Sequence, residues 1–466
     1  MSRTGEAVIL EDVIRPGTTR GLDFVIVSEL VKRTGIMPGS IIKFAMAEML
    51  CNSLDKDAAE IDIRLQSDGV FYSLEISDNG SKNLLLKDVK LILDFDNKAS
   101  SKRGLLRVSR GYLGNALKCI FGYSYALAES EGLDPPDIMI SSGGREYSIQ
   151  LQPDSIAGII KSHITTAKRT DDGWTKFLVK FPWEKAGPDI SILKDVIFAT
   201  SMVNPGRKTS YNLLGEEASF GETGEADIMD NKTSVLWYTE KQFSELAQDF
   251  VRGRPETQLK EFIPLFRGFT SKKLIGEILQ ELNGALNHDY NGKEDVQFFP
   301  ATRLHDLPAT KQSVLFQTMR RMAKPISKRS VPSALGVVGK ESFEKIRADY
   351  GWERLKYTMA KGVRTECPEY WHDDEDQPCM NPNHVSFPYI IELALFDRKD
   401  EDTEGLKVYQ CVNFMASMED IFSRIFSIPS RLGRVGISED MPVTVVAHLV
   451  CPVLKWLNYG KSGLDD

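Results

Sequence analysis

The sequence predicts an α+β fold in several bodies, and three observations predict it. A helical stretch, FAMAEMLCNSLDKDA, is followed at once by two alternating strands. From about residue 235 the apolar spacing turns helical. After residue 331 alternating strands return with helices between them, the pattern of an α+β body. The chain has 466 residues, enough for roughly two to four domains with ample core.

Residues 1–40 mix short apolar runs with Pro16-Gly17 and Pro38-Gly39, and 23–33 reads as a helix. Residues 44–118 then carry the chemistry. Phe44, Ala47, Leu50, Cys51 and Leu54 make an apolar stripe that docks a helix. Glu48, Asn52 and Asp55 stand at i, i+4 and i+7, on one face of it. An asparagine oxygen there can take Mg²⁺, a hard cation. A glutamate beside it can polarise an attacking water.

Ile61, Ile63 and Leu65 alternate, Ser67-Asp68-Gly69 turns the chain, and Val70, Tyr72, Leu74 and Ile76 alternate again. Asp78-Asn79-Gly80 ends the second strand. A carboxylate at that point can accept a hydrogen bond from an exocyclic amine. Ser109-Arg110-Gly111-Tyr112-Leu113-Gly114 opens a helix that runs to Lys118 and beyond. Glycines before a helix N-terminus let backbone N–H groups close on phosphate. Taken singly, the first piece reads as a solvated helix face and the second as a turn.

In this order the three pieces resemble the GHKL ATPases: gyrase B, the heat-shock chaperones, histidine kinases and MutL. Within that superfamily, SKRGLLRVSRGYLG is most similar to the lid of the topoisomerase VI ATPase subunit, roughly S-K-x-x-x-x-R-Q-S-R-G-x-x-G. The resemblance implies a Bergerat ATPase sandwich, a small helix–two-turns–helix insert and an α/β transducer. It implies ATP and Mg²⁺ as cofactors, with Glu48 as general base and Asn52 on the magnesium. Asp78 would read the adenine amine, a role that expects ATP to bind better than GTP. Asp55, Gly80, Lys102, Ser109, Arg110, Gly111, Tyr112, Leu113, Gly114, Asn115 and Lys118 would complete the nucleotide site. Thr175, in a Gly-x-Thr run, would lie on the adenine side; a plain strand threonine is the other reading. Two positions depart from the family. Ser81-Lys82 stands where a second glycine usually follows DNG, and Ala116 replaces the third lid glycine. Both normally allow close backbone approach, so turnover is expected to be slow.

The resemblance runs on through the chain. Strands are expected over 137–140, 147–151 and 159–166, with a last strand ending near Pro182. Thr200, Asn204 and Pro205 align with a helix-to-strand segment of the same family, though no catalytic role follows for them. Residues 213–230 are acidic and glycine-rich and read as a solvated loop. Leu259, Phe262, Phe266, Leu274 and Ile278 would make the core of the helical insert, with Lys272 and Lys273 at its turn. Arg320, Arg321, Lys324, Lys328 and Arg329 form a basic cluster, either a phosphate contact or a solvated face. VPSALGVVGKE from Val331 resembles the transducer entry, and strands at Phe387, Tyr409 and Val443–Val450 continue it. Lys461, after Gly460, would reach the γ-phosphate; Lys455 is its rival. The expected domains are an N-terminal segment (1–40), the ATPase domain with its connecting segment (41–230), the helical domain (231–330) and the transducer (331–466).

Between two transducer strands lies CPEYWHDDEDQPCMNPNH. Cys367, His372, Cys379 and His384 form a C-x₄-H-x₆-C-x₄-H set, whose ligand types suit tetrahedral Zn²⁺. An exposed polar loop is the alternative.

Composition limits the rest. With 42 % hydrophobic and 27 % charged residues the chain has a globular, water-facing balance. No apolar run reaches membrane-span length and the first residues lack a signal-peptide pattern, so no membrane partner is expected. A net charge of −8 argues against a wholly basic nucleic-acid coat but leaves room for local DNA contacts. Six cysteines do not suggest a disulfide framework, and Cys51, Cys119, Cys411 and Cys451 read as core. The expected function is that of the ATP-hydrolysing, B-type subunit of a type IIB topoisomerase. It would form a homodimer on ATP and act on DNA with a topoisomerase VI A-like cleaving subunit. It would be cytoplasmic and nucleoid-associated in a prokaryote, nuclear in a eukaryote. Any stalk to the cleaving subunit would be short, since the chain ends soon after Lys461. The alternatives are a stand-alone GHKL clamp of MutL or defence type, and a structural partner that binds nucleotide weakly.

Overall fold

The structure, a computed structural model, describes residues 7–9, 21–81, 83–95, 105–108, 116–222, 232–284, 297–366, 384–398, 405–417 and 428–454. Strand β1 (Ala7–Ile9) comes first, then α1 (Val27–Thr34) and α2 (Ile41–Leu54). The helix expected over 23–33 is divided. A 3-10 turn at Leu22–Val25 precedes α1, and Gly35 ends α1 in the left-handed region (φ 72°). Helix α2 is not the amphipathic surface helix that a single apolar stripe implies. Of its residues only Lys43 and Asn52 escape burial. A helix apolar almost all round belongs in an interior, and α2 is covered on nearly every side.

Strands β2 (Glu60–Ser67) and β3 (Phe71–Asp78) form the expected hairpin, paired from Ile61↔Asp78 to Ser67↔Tyr72. Asp68 accepts the N–H groups of Val70 and Phe71 and so closes the turn; these bonds hold its carboxyl below the usual range. Helices α3 (Leu86–Ile92) and α4 (Ala116–Ser130) follow, then β4 (Ile138–Ser142), β5 (Arg145–Asp154), β6 (Ile159–Lys168) and β7 (Thr175–Pro182). Helix α5 (Ile190–Met202) leads to β8 (Lys208–Leu213) and β9 (Glu216–Phe220). The nine strands make one sheet in the order β1-β6-β5-β4-β7-β3-β2-β8-β9. The sheet therefore runs well past Pro182. The solvated loop expected over 213–230 is corrected at its start. Leu214 (φ 53°) and Gly215 (φ 95°) turn the chain back as β9, and Phe220 packs its ring against Tyr211.

The second body is helical: α6 (Glu240–Gly253), α7 (Leu259–Phe262), α8 (Lys272–Gly284) and α9 (Ala309–Met322). Its centre is aromatic, with Tyr238, Phe243, Phe262, Phe266 and Phe316 fully buried. Leu259, Phe262, Phe266 and Ile278 are in this core as expected, and Leu274 packs on its margin. The basic cluster divides. Arg320 donates to the backbone oxygens of Tyr238 and His384, and Arg321 pairs with Glu281. Lys324, Lys328 and Arg329 face solvent.

The third body begins with α10 (Val331–Leu335) and α11 (Gly339–Asp349). Its five strands are β10 (Arg354–Glu366), β11 (Val385–Asp397), β12 (Lys407–Val412), β13 (Met415–Ala416) and β14 (Val443–Val450), in the order β10-β11-β14-β12-β13. Helix α12 (Ile428–Arg434) precedes β14. The α+β class is borne out.

Helix α5 joins the two sheets. Asn204 Nδ2 donates to the Phe414 oxygen (2.8 Å) and to the Thr200 oxygen (2.7 Å). Thr200 Oγ1 accepts the Ala416 N–H (3.3 Å), and Tyr409 donates to Asp195 (3.1 Å). Thr200 and Asn204, to which the sequence assigned no role, fasten the large sheet to the β12–β13 turn. All four described cysteines, Cys51, Cys119, Cys411 and Cys451, are buried and outside any disulfide, as expected of core positions.

Candidate functional site

The site is built where the C-terminal end of α2 meets the end of β3. The β3 register places Asp78 opposite Ile61 on β2 and opposite Thr175 on β7. Directly opposed residues share a sheet face, so Asp78 and Thr175 point the same way. Asp78 is 1 % exposed. Its Oδ2 accepts the Ser53 hydroxyl at 2.9 Å, and its Oδ1 accepts the Gly80 N–H at 3.1 Å. Lys56 Nζ lies 3.6 Å from Oδ2 and 5.4 Å from the centre of the Phe177 ring. Asn79 turns the other way, and its Oδ1 accepts the N–H groups of Ala59 and Glu60 (2.9 Å each). The DNG turn is thereby stitched to the α2–β2 connection from both sides.

Gly80 is held closely. A Cβ built on it would stand 2.9 Å from Lys56 Cβ and 3.0 Å from both the Lys56 oxygen and Asp78 Oδ1. Glycine is needed here for approach, not for an unusual φ. Thr175 Oγ1 is 2.9 Å from Ser142 Oγ, which also accepts the Leu84 N–H at 2.9 Å. Thr175 therefore has a partner of its own on β4.

On α2, Glu48 is buried at 7 % exposure and Asn52, one turn on, is half-buried. Asp55 is the C-cap residue just past the helix end, still in helical conformation (φ −73°), so the expected face is kept. Lys118, at the start of α4, is 1 % exposed and donates to the Asp94 backbone oxygen. Burial pushes the Cys119 thiol up to about 12; Arg33 and Lys118 pull it down, and Glu48 pushes it further up. Glu48 and Lys118 thus share one buried neighbourhood. The structure sets Glu48, Asn52 and Asp55 along α2 and its end, and Asp78 and Thr175 on the paired ends of β3 and β7, with Gly80 just beyond β3. The Ser53–Asp78 bond links the two groups, and Lys118 lies on α4.

Lys102, Ser109, Arg110, Gly111, Tyr112, Leu113, Gly114, Asn115, Lys455 and Lys461 lie outside the described residues, as do Cys367, His372 and Cys379. His384 is described, at the entry to β11, and its backbone oxygen accepts from Arg320. Among the described residues no group of three or more His, Cys, Asp or Glu could hold a metal ion. Also among them, no helix is long and apolar enough to cross a membrane.

Sequence reasoning passed over Ser53, Lys56 and Ser142, and read 105–108 only as part of the lid-like run. Leu105 is buried in the helical body's core, and the Leu106 N–H donates to Tyr238 Oη at 2.6 Å. Burial lowers the Arg107 guanidinium, while the charges of Asp55 and Tyr238 act the other way. Val108 is back in the core of the large sheet. This piece ties the first body to the second. Tyr238 is fully buried, and its hydroxyl also meets Thr233 Oγ1 at 2.8 Å. Tyr238→Phe leaves two polar groups without that partner, so it should destabilise the chain by about 1–3 kcal/mol. A urea melt checks this; a midpoint equal to the parent's removes Tyr238 as a tie.

No family model matches the chain, and no curated protein matches it. Among solved structures the chain is similar to the ATPase region of Saccharomyces cerevisiae topoisomerase II bound to ICRF-187 (dexrazoxane). Identity is 9 % and the TM-score 0.35, over 91 % of this chain and 77 % of that one. It is also similar to the 43K ATPase domain of Thermus thermophilus gyrase B in complex with an aminocoumarin. There identity is 12 % and the TM-score 0.32, over 94 % and 80 %. The B-subunit of the DNA gyrase from Myxococcus xanthus gives 10 % and 0.32, over 94 % and 84 %. Likenesses this distant fix neither a family nor a site.

Proposed function

We propose that this chain is the ATP-binding and ATP-hydrolysing, B-type subunit of a topoisomerase VI-like, type IIB machine. In this reading it dimerises on ATP and gates DNA passage or cleavage by a separate A-type subunit, in the nucleoid or the nucleus. Residues 41–230 hold the nucleotide, 231–330 form the helical insert and 331–466 the transducer. The observation that carries the reading is the closure of Asp78-Asn79-Gly80 onto the end of α2, below Glu48 and Asn52.

The residues present fit an adenine nucleotide. A carboxylate offers about four acceptor positions. Ser53 and Gly80 take up two on Asp78, and the Lys56 ammonium stands 3.6 Å from Oδ2 as an ion pair, which leaves room for an amine. The space that a Cβ on Gly80 would fill keeps the turn tight against α2. Asn52 would hold Mg²⁺, which supplies charge neutralisation on the phosphates when bound. Glu48 orients and deprotonates the attacking water. Lys461 is assigned to the γ-phosphate from the transducer side.

A second reading is favoured by one observation. Asp78 is nearly closed off and already bonded, as suits a structural partner that binds nucleotide weakly. Asp78→Asn separates the two. It removes a charged acceptor, and a hydrogen bond to a charged group is worth about 1.5–3 kcal/mol. ATP affinity should therefore fall about tenfold or more. Calorimetric titration of parent and variant checks it, with a nucleotide-free melt to show both are folded. No ATP binding by the parent leaves the structural-partner reading in place.

A further inference from the structure

We propose that Arg107 is a phosphate-binding residue of this site, and that it meets the nucleotide from the seam between the first body and the helical one. The proposal rests on the nucleotide reading above. Residues 105–108 are pinned on both sides. Leu105 is buried in the helical core, the Leu106 N–H is held by Tyr238 Oη, and Val108 is buried in the core of the large sheet. Arg107 is therefore fixed between the two bodies. Its side chain is half-buried. Its Nε is shut off from water and has no hydrogen-bond partner among the described residues. The Nη groups are not closed off in this way and stay open to solvent.

A guanidinium keeps its charge, and a charge that loses water without gaining a partner is costly. Neither neighbour cancels this one. Tyr238 is neutral, because burial pushes its hydroxyl well up, and that hydroxyl is already engaged with Thr233 and Leu106. Asp55 attracts the guanidinium without forming an ion pair with it. Desolvation outweighs that attraction and holds the guanidinium below its usual value. Asp55 also locates the ligand. It continues the α2 face that carries Glu48 and Asn52, so Arg107 stands beside the face where Mg²⁺ and phosphate would bind. A phosphate there meets a planar fork of donors, the geometry that arginine offers to phosphate oxygens. The fork is held in place before the ligand arrives, so little ordering cost offsets the contact.

The test is calorimetric binding of ATP and adenosine to the full chain, to Arg107→Met and to Arg107→Gln, with a nucleotide-free melt of each. Methionine keeps an unbranched stem and removes the charge. Glutamine removes the charge but keeps a polar donor in the seam, and it decides the matter where methionine does not fold. Both variants should bind ATP about tenfold or more weakly than the parent and adenosine as the parent does. Added salt should also weaken ATP binding less in the variants, because one screened charge contact is gone. That slope decides where adenosine binds too weakly to titrate. Parent-like ATP affinity in a folded variant overturns the assignment. So does an equal loss of ATP and adenosine, the mark of a structural role through Asp55. A parent that binds no ATP overturns the nucleotide reading and this assignment with it; ATP binding that the variants keep in full overturns this assignment alone.

Discussion

Glu48→Ala should bind ATP as the parent does and hydrolyse it at least about a hundredfold more slowly, the usual scale of a lost general base. Helix α2 is packed on nearly every side, so Glu48 sits on a rigid element at 7 % exposure. Asn52 follows at i+4 on the same face and is the more exposed of the two. A carboxylate that is both held and largely excluded from solvent can keep one water in line with a phosphate whose Mg²⁺ Asn52 would hold. Glu48→Gln is the companion variant. It keeps the shape and one acceptor but cannot take the proton, so it should be as slow as alanine. Single-turnover phosphate release measures the chemical step, and nucleotide titration measures binding. Both variants should also accumulate the ATP-bound dimer, visible as a heavier species in sedimentation. Parent-like turnover in either variant removes Glu48 from the mechanism.

The fold was legible where periodicity carried it. The β2–β3 hairpin, the helical aromatic core and Val443–Val450 were all visible as patterns. Residues 216–220 were not, because composition there is acidic and the strand shows only in the alternation of Ala218 and Phe220. The face of Glu48, Asn52 and Asp55 was legible because helical spacing is local. Ser53, Lys56 and Ser142 were not, since only tertiary closure brings them to Asp78 and Thr175. The sequence also treated Asp78 as an open acceptor. Its donor Ser53 and the neighbouring Lys56 ammonium adjoin it only in the folded chain. Thr200 and Asn204 stood out by resemblance without a role, because their partners Ala416 and Phe414 lie far along the chain.

Glu392→Ala should be the most destabilising of these substitutions, by about 3 kcal/mol or more, because it takes the acceptor from four buried donors and one such loss alone costs about 1–3 kcal/mol. Glu392 and His448 are both fully buried on adjacent strands, β11 and β14. Each carboxylate oxygen takes two donors. Oε2 accepts from His448 Nδ1 (3.0 Å) and the Val338 N–H (3.0 Å). Oε1 accepts from the Tyr357 hydroxyl (2.8 Å) and the Gly339 N–H (2.9 Å). His448 Nε2 accepts the Phe414 N–H at 3.1 Å, so the ring proton is on Nδ1. The cluster therefore locks the start of α11, three strands (β10, β11 and β14) and the β12–β13 turn that α5 grips. Alanine leaves these four donors without their acceptor. Glutamine keeps one oxygen, and its amide must face a backbone N–H on the other side, so it should lose about 1–3 kcal/mol. Burial pushes the Glu392 carboxyl up, but the His448, Gly339 and Val338 hydrogen bonds more than offset this and hold it below its usual value. A carboxyl whose folded pKa is depressed stabilises fully above its unfolded pKa, about 4.3. That contribution is lost as pH falls through the folded value. Parent stability from this cluster should thus be flat near neutrality and fall below about pH 4. In Glu392→Gln that acid-dependent share should be missing. Urea melts of parent, Glu392→Ala and Glu392→Gln at neutral and acid pH measure both effects. A Glu392→Ala midpoint within error of the parent's would show that the four donors find other partners and that the cluster is not what holds these elements together.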